Sequence, residues 1–219
     1  MLAPLAVALT VGCGGARASP GDAAWWTELA QPPPAADAWP LAAVAPADEE
    51  AQAAAPAWRP ARGAQGEGSG VCHDASGEAW RPLAEPPPAD FTARVLARTA
   101  PGETEAYGLA FRYNGTDDYY LARVDTRNDH VRLYRRSAGA TTLLAARNLG
   151  VSVGQWHELA VHAAGSSLAV ALDGEPLLRV ADDDLRAGGL ALWASPGTRV
   201  CIQGLWLAPS RVAEGAARG

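Results

Sequence analysis

What most constrains the fold of this 219-residue chain is a train of short alternating segments, separated by turn residues, that runs from residue 91 to residue 207. In 91–97, Phe91, Ala93, Val95 and Ala97 alternate with Thr92, Arg94 and Leu96. In 107–113, Leu109, Phe111 and Tyr113 share one face and Arg112 takes the other. Side chains of an extended strand point to opposite faces in turn, so a period of two marks half-buried strands rather than helices. Segments 119–125, 131–136, 142–147, 156–162, 168–173, 177–181, 189–193 and 200–207 continue the series. Asn114-Gly115-Thr116-Asp117 and Asp173-Gly174 read as tight hairpin turns, because Asn, Asp and Gly tolerate the positive φ that such turns need. Strands this short at this spacing predict an all-β protein, a two-sheet antiparallel β-sandwich. Asp182-Asp183-Asp184, ahead of Gly188, reads as the cap of a single helical turn.

Composition agrees with this and narrows the partners. Gly 23, Pro 17 and Trp 8 describe a turn-rich chain whose length suits one core. The net charge is -6 and every basic residue is arginine. That balance argues against nucleic acid, since phosphate binding draws its energy from a basic footprint that releases counterions. Residues 1–11 form an apolar run, shorter than the about 20 residues that span a bilayer but long enough for the hydrophobic region of a signal peptide. Thr10-Val11-Gly12-Cys13 resembles a lipobox, which would make Cys13 a lipidated first residue and the chain's route to a membrane. Ala16-Arg17-Ala18 is a competing cleavage site that would release a soluble protein from Ser19, and an uncleaved start is the third reading.

The expected organisation is a signal at 1–18, an Ala/Pro-rich irregular segment at 19–70, the sandwich at 71–208 and a flexible tail at 209–219. Trp25, Trp26, Trp39 and Trp58 interrupt the irregular segment. Part of it is expected to pack on the sandwich, because exposed apolar surface costs roughly 25 cal/mol per Å². With Cys13 lipidated or removed, Cys72 and Cys201 remain as an even pair in an oxidising compartment. They are open to a disulfide or to two unrelated buried thiols.

Six motifs follow one another in a telling order. They are Gly108-Leu109-Ala110-Phe111-Arg112-Tyr113, Asp118-Tyr119-Tyr120-Leu121-Ala122-Arg123-Val124, and Val131-Arg132-Leu133-Tyr134. Then come Gly154-Gln155-Trp156-His157-Glu158-Leu159-Ala160-Val161, Leu172-Asp173-Gly174, and Gly189-Leu190-Ala191-Leu192-Trp193. Their order and spacing resemble the concanavalin A-like lectin/glucanase domains of laminin-G-like kind, including bacterial exported domains of the 3-keto-disaccharide hydrolase type. The resemblance implies a jelly roll. It also implies that the first and final strands of the domain are neighbours, so that Cys72 and Cys201 face each other; such a bridge is typically worth about 2 to 4 kcal/mol. Activity is not implied with the same force, since one sandwich hosts many functions. Laminarinase-type relatives carry a Glu-x-Asp-x-(x)-Glu strand, whose alternation sets two carboxylates about 5 to 5.5 Å apart in one cleft. This chain has no such run. Where many relatives end in an acidic pattern, it has Ala194-Ser195-Pro196-Gly197-Thr198-Arg199-Val200-Cys201-Ile202-Gln203-Gly204.

Other candidate chemistry reads as structural. Glu103 and Glu105 fall in a turn beside Pro101-Gly102 as solvated loop charges. His73, His130, His157 and His162 are scattered, and no metal or cofactor is expected. Asn114, Asp117 and Asp118 could offer oxygens to calcium, but the turn already accounts for them. Trp156 and Trp193 are expected in the core.

Alternation also proposes a binding face. Arg112 points outward if Leu109, Phe111 and Tyr113 point in. Tyr119, Leu121 and Arg123 lie opposite Tyr120, Ala122 and Val124, and Arg132, Tyr134 and Arg136 lie opposite Val131 and Leu133. Arg112, Tyr119, Arg123, Arg132 and Tyr134 are the candidate ligand-binding set, with aromatic faces for sugar C–H groups and guanidinium forks for hydroxyls, carboxylates or sulfate. The expected protein is a monomeric, extracytoplasmic, non-catalytic domain that binds a glycan or cell-envelope polysaccharide, either anchored to the cell envelope or secreted. A sugar-active hydrolase and an adhesion or structural domain recognising protein are the alternatives.

Overall fold

A computed structural model describes residues 29, 38–39, 58–61, 70–74, 76–83, 86–101 and 106–210. Cys13, Trp25, Trp26, Glu103, Glu105 and the chain beyond Ser210 lie outside the described residues. In chain order the strands are β1 (Ala38–Trp39), β2 (Trp58–Pro60), β3 (Gly70–Asp74), β4 (Ala79–Pro82), β5 (Phe91–Ala100), β6 (Ala106–Tyr113) and β7 (Tyr119–Asp125). They continue as β8 (His130–Ser137), β9 (Ala140–Asn148), β10 (His157–Ala164), β11 (Ser167–Leu172), β12 (Glu175–Ala181), β13 (Gly189–Ala194) and β14 (Arg199–Pro209). One sheet of eight strands has the order β12-β11-β10-β5-β14-β3-β2, with β1 paired to β14 off that path. The other, of six strands, has the order β4-β13-β6-β7-β8-β9. Every pairing is antiparallel, giving a jelly-roll β-sandwich.

The alternating apolar residues fill the space between the sheets. Phe91, Ala93, Val95 and Ala97 of β5 meet Leu109 and Phe111 of β6, Tyr120, Ala122 and Val124 of β7, and Val131 and Leu133 of β8, all fully buried in one cluster. Each fully buried Val, Leu or Phe here contributes about 1.5 to 3 kcal/mol, so this interleaved layer is what holds the sheets face to face. The Asp173-Gly174 hairpin joins β11 to β12 with φ of 52° and 75°, the two positive values of the turn that suits strand twist.

The described parts of the amino-terminal stretch attach to the larger sheet. Leu29 is fully buried against Ala160, Ala169 and Ala171, whose small side chains leave a shallow seat on the outer side of β10 and β11. β2 pairs with β3, and β1 pairs with β14 beyond the point where β3 ends. That exchange of neighbours falls at Gly204, where β14 carries one extra residue relative to β5. Gly204 has φ of 63°, a left-handed conformation that glycine alone adopts without penalty. The extra residue resets the alternation, so that Val200 and Ile202 before it and Leu205 after it all reach the core.

Two expectations about local structure are corrected. Asp182-Asp183-Asp184 forms no helical turn. Instead Asp182 accepts hydrogen bonds from Tyr120 Oη at 2.5 Å and Arg135 Nη1 at 2.7 Å, which tie this irregular segment to β7 and β8. Trp156 lies ahead of β10 rather than in the core. It is half-buried, and Arg98 Cζ sits 4.8 Å from its ring centroid.

Candidate ligand-binding face

Because Leu190, Leu192 and Ala194 of β13 point between the sheets, Ala191 and Trp193 point away from them, onto the outer face of the six-stranded sheet. The same alternation sends Ala106 and Ala110 of β6, and Tyr119 and Leu121 of β7, to that face. These residues form a second buried cluster, with Trp80, Tyr113 and Tyr134 packed against it half-buried. Trp193 is therefore buried as expected, at 6% exposure, in this outer cluster rather than between the sheets.

Register places the face's residues in rows. Trp80, Trp193, Gly108, Arg123 and Arg132 stand directly opposite one another across β4, β13, β6, β7 and β8. Pro82, Ala191, Ala110, Leu121 and Tyr134 form the next row. The middle of both rows is made of small residues, which leaves room for rings to lie across the sheet. Trp80 uses it, with centroids 5.7 Å from Tyr113, 4.8 Å from Tyr119 and 6.4 Å from Trp193. At Gly108 a Cβ would come 2.5 Å from the Ala122 carbonyl oxygen and 2.8 Å from Leu121 Cδ1, so only glycine lets Leu121 cover this part of the floor.

Polar contacts fix the two ends of the row. Trp193 Nε1 donates to Glu78 Oε1 at 2.7 Å. Arg123 Cζ lies 5.5 Å from the Trp193 ring centroid, and its Nη2 pairs with Asp125 Oδ2 at 2.8 Å. Burial pushes the Asp125 carboxyl up, yet hydrogen bonds from the Asn128 side chain and backbone, with the charges of Arg123 and His130, outweigh it and hold the group below the usual carboxylate value. Arg132 Nη1 donates to Tyr134 Oη at 3.2 Å. Opposite Asp125, burial holds the His130 imidazole below its ordinary value, and the positive charge of Arg132 adds to that. Burial raises the Tyr113 and Tyr119 phenols above their ordinary value, itself well above neutral pH, so both are protonated donors there.

Of the candidate residues read from alternation, Tyr119, Arg123, Arg132 and Tyr134 share this face and Arg112 does not. Arg112 is the extra residue of a bulge in β6, where Phe111 pairs with Leu190 and Tyr113 with Gly189. Its φ of 47° turns the strand over by one side chain. Arg112 therefore points inward at 1% exposure, and Tyr113 takes the outward place. The buried guanidinium donates to the carbonyls of Leu185 at 2.9 Å, Gly165 at 2.9 Å and Ala89 at 3.3 Å, tying three loops to the strand. It is a structural clamp.

Trp80, Tyr113 and Trp193 were missed as members of the face. For Trp193 the signal was present, since Leu190 and Leu192 as core residues put Trp193 on the other side. β4 is too short, at four residues, for alternation to place Trp80. In the first hairpin the side chains weighed for calcium bind the protein itself. Asn114 Nδ2 donates to the Ala187 carbonyl, Asp117 pairs with Arg136, and Asp118 accepts from the Ala138 amide. Among the described residues no cluster of three His, Cys, Asp or Glu side chains is arranged to hold a metal ion. Cys72 and Cys201 are directly opposite in β3 and β14 and form a disulfide. They point away from the core on the larger sheet, since Val71, Val200 and Ile202 point into it.

No protein-family model and no curated protein matches the sequence. Among solved structures, the chain is similar to carbohydrate binding module CBM66 from Bacillus subtilis, at 20% identity and a TM-score of 0.61, over 70% of this chain and 91% of that one. It is also similar to a β-fructofuranosidase from Aspergillus kawachii complexed with glycerol, at 10% identity and a TM-score of 0.51, over 68% of this chain and 28% of that one. The likeness is one of fold, a two-sheet antiparallel jelly-roll β-sandwich.

Proposed function

We propose that this sandwich is an extracytoplasmic glycan-binding module and that the outer face of the six-stranded sheet is its binding surface. The observation that carries this reading is the row of Trp80, Trp193, Gly108, Arg123 and Arg132, flanked by Tyr113, Tyr119 and Tyr134. Half-buried aromatic rings present flat apolar surfaces to sugar C–H groups, while arginine and tyrosine donors answer hydroxyls or acids at their edge. Leu143, opposite Tyr134 and 50% exposed, extends the apolar surface towards β9. The carbohydrate-binding module named above, similar in fold over most of its length, supports the same reading. Non-catalytic binding is favoured because the face's carboxylates are already engaged, Asp125 by Arg123 and Asn128 and Glu78 by Trp193. The disulfide favours an oxidising compartment.

A glycan array probed with wild type and with Trp80→Ala tests it. Wild type is expected to bind at least one sugar class, and Trp80→Ala to lose about five- to thirtyfold in affinity, as removing a stacking platform worth about 1 to 2 kcal/mol would require. Wild type that binds no glycan, or a variant that binds as wild type does, rejects this face.

A further inference from the structure

The charges of the face narrow the class of glycan. Arg123 and Arg132 stand directly opposite each other on β7 and β8. Like charges so placed repel and are retained at a cost. Asp125 offsets Arg123 alone, since its oxygens are taken by Arg123 Nη2 and by the Asn128 amide and side chain. Arg132 has no carboxylate partner among the described residues: its hydrogen bond goes to Tyr134 Oη, and its Nε is buried without a partner. Its charge is felt nearby, where it helps hold the His130 imidazole neutral. In a protein of net charge -6, this leaves a positive spot at one end of an aromatic row.

The spot is also held in place. Arg123 lies over Trp193 and is pinned by Asp125, Trp193 is pinned by Glu78, and Arg132 is pinned by Tyr134. Fixed donors lose little freedom when a ligand arrives, and a planar guanidinium with free N–H groups matches the paired oxygens of an oxyanion. Resting on the glycan-binding reading above, we infer that the ligand is an acidic glycan: Arg132, with Arg123 beside it, takes the carboxylate or sulfate of one sugar, and Trp80 with Tyr113 stacks a neighbouring ring.

Binding isotherms for three probes test this: sodium polygalacturonate, its fully methyl-esterified form, and a sulfated galactan. At least one of the two anionic probes is expected to bind about tenfold or more tighter than the neutral ester, with the advantage shrinking as salt rises. Preference between polygalacturonate and the sulfated galactan identifies the anionic group. Arg132→Ala is expected to bring the ratio of anionic to ester affinity down to about one, while Arg132→Lys keeps part of that ratio. The melting curve of each variant checks that it is folded. Equal binding of the anionic and neutral probes, lost in Trp80→Ala, overturns the acidic-ligand inference and leaves the glycan-binding face standing. An unaltered anionic preference in Arg132→Ala also overturns it. No binding to any probe rejects both.

Discussion

Arg112 illustrates how much one residue can change the reading of a strand. Its neighbours alternate so regularly that an outward guanidinium follows from parity, and the bulge at φ of 47° reverses that. Nothing in the local sequence announces it, because a bulge of this kind usually carries glycine at the left-handed position. The clamp makes a direct prediction. Arg112→Ala leaves the carbonyls of Leu185, Gly165 and Ala89 without their donor, a loss of at least about 3 kcal/mol, since hydrogen bonds to a charged group are worth about 1.5 to 3 kcal/mol each and the three are not additive. Urea denaturation reads the stability, and glycan affinity of the folded variant stays within about twofold of wild type. A variant of unchanged stability would mean that the clamp is idle.

Asp125 and His130 belong to the same scale. Both are held below their ordinary values in the folded chain. A group whose folded value is depressed binds fewer protons than its unfolded counterpart, so its contribution is present above the unfolded value and is lost as pH falls. The His130 contribution therefore fades from about pH 6.5 downward, and that of Asp125 from about pH 3.8 downward. Chemical denaturation from pH 7.5 to 4 should show the first loss, and His130→Gln should remove that part of the pH dependence. A variant whose stability falls as steeply as wild type over this range would assign the effect to other groups.

Strands were legible because most carry two distinct faces, and two of the hairpin turns, β6–β7 and β11–β12, announced themselves through Asn-Gly and Asp-Gly. Partners were not legible: that Trp193 stands opposite Gly108, and Gly108 opposite Arg123, is a matter of register, which alternation within one strand does not contain. The bulges at Gly204 and Arg112 differ in how far they could be foreseen. Around Gly204 the core positions change parity, from Val200 and Ile202 to Leu205, and a glycine at the break is a readable sign. Around Arg112 the sequence keeps parity and the chain does not. Gly204→Ala tests the bulge in β14, because a Cβ there would lie 2.8 Å from Trp206 Cη2 and φ is 63°. The strained left-handed alanine should cost about 1 to 2 kcal/mol, read from the denaturation midpoint, with a changed tryptophan emission as Trp206 moves. An unchanged midpoint would mean that β14 can shed its bulge without loss.

For the whole molecule, the architecture sets the candidate face and the disulfide on opposite sheets. The candidate face lies on the outer side of the six-stranded sheet, whereas the Cys72–Cys201 disulfide lies on the outer side of the eight-stranded one. The bridge joins β3, near the start of the sandwich, to β14 at its end, across a sequence separation of 129. A loop of that length contains most of the core. Closing it removes enough freedom from the unfolded chain to stabilise the fold by about 5 kcal/mol in the chain-entropy picture, with about 2 to 4 kcal/mol more typical of measured bridges. Without it β3 is held by its ladders to β14 and β2, by Val71 in the core and by the His73–Thr198 hydrogen bond, and as a short strand near the sheet edge its amides should be among those that lose most protection from hydrogen exchange. Reduction, or the Cys72→Ser/Cys201→Ser pair, is expected to lower Tm by about 8 to 15 °C for a chain of this size. Affinity for glycan at 20 °C should be unchanged, because β4, β13, β6, β7 and β8 do not depend on the bridge for their register. An affinity that falls together with Tm would show that the two sheets are energetically coupled through the core, and would place the binding face under the control of the redox state of its surroundings.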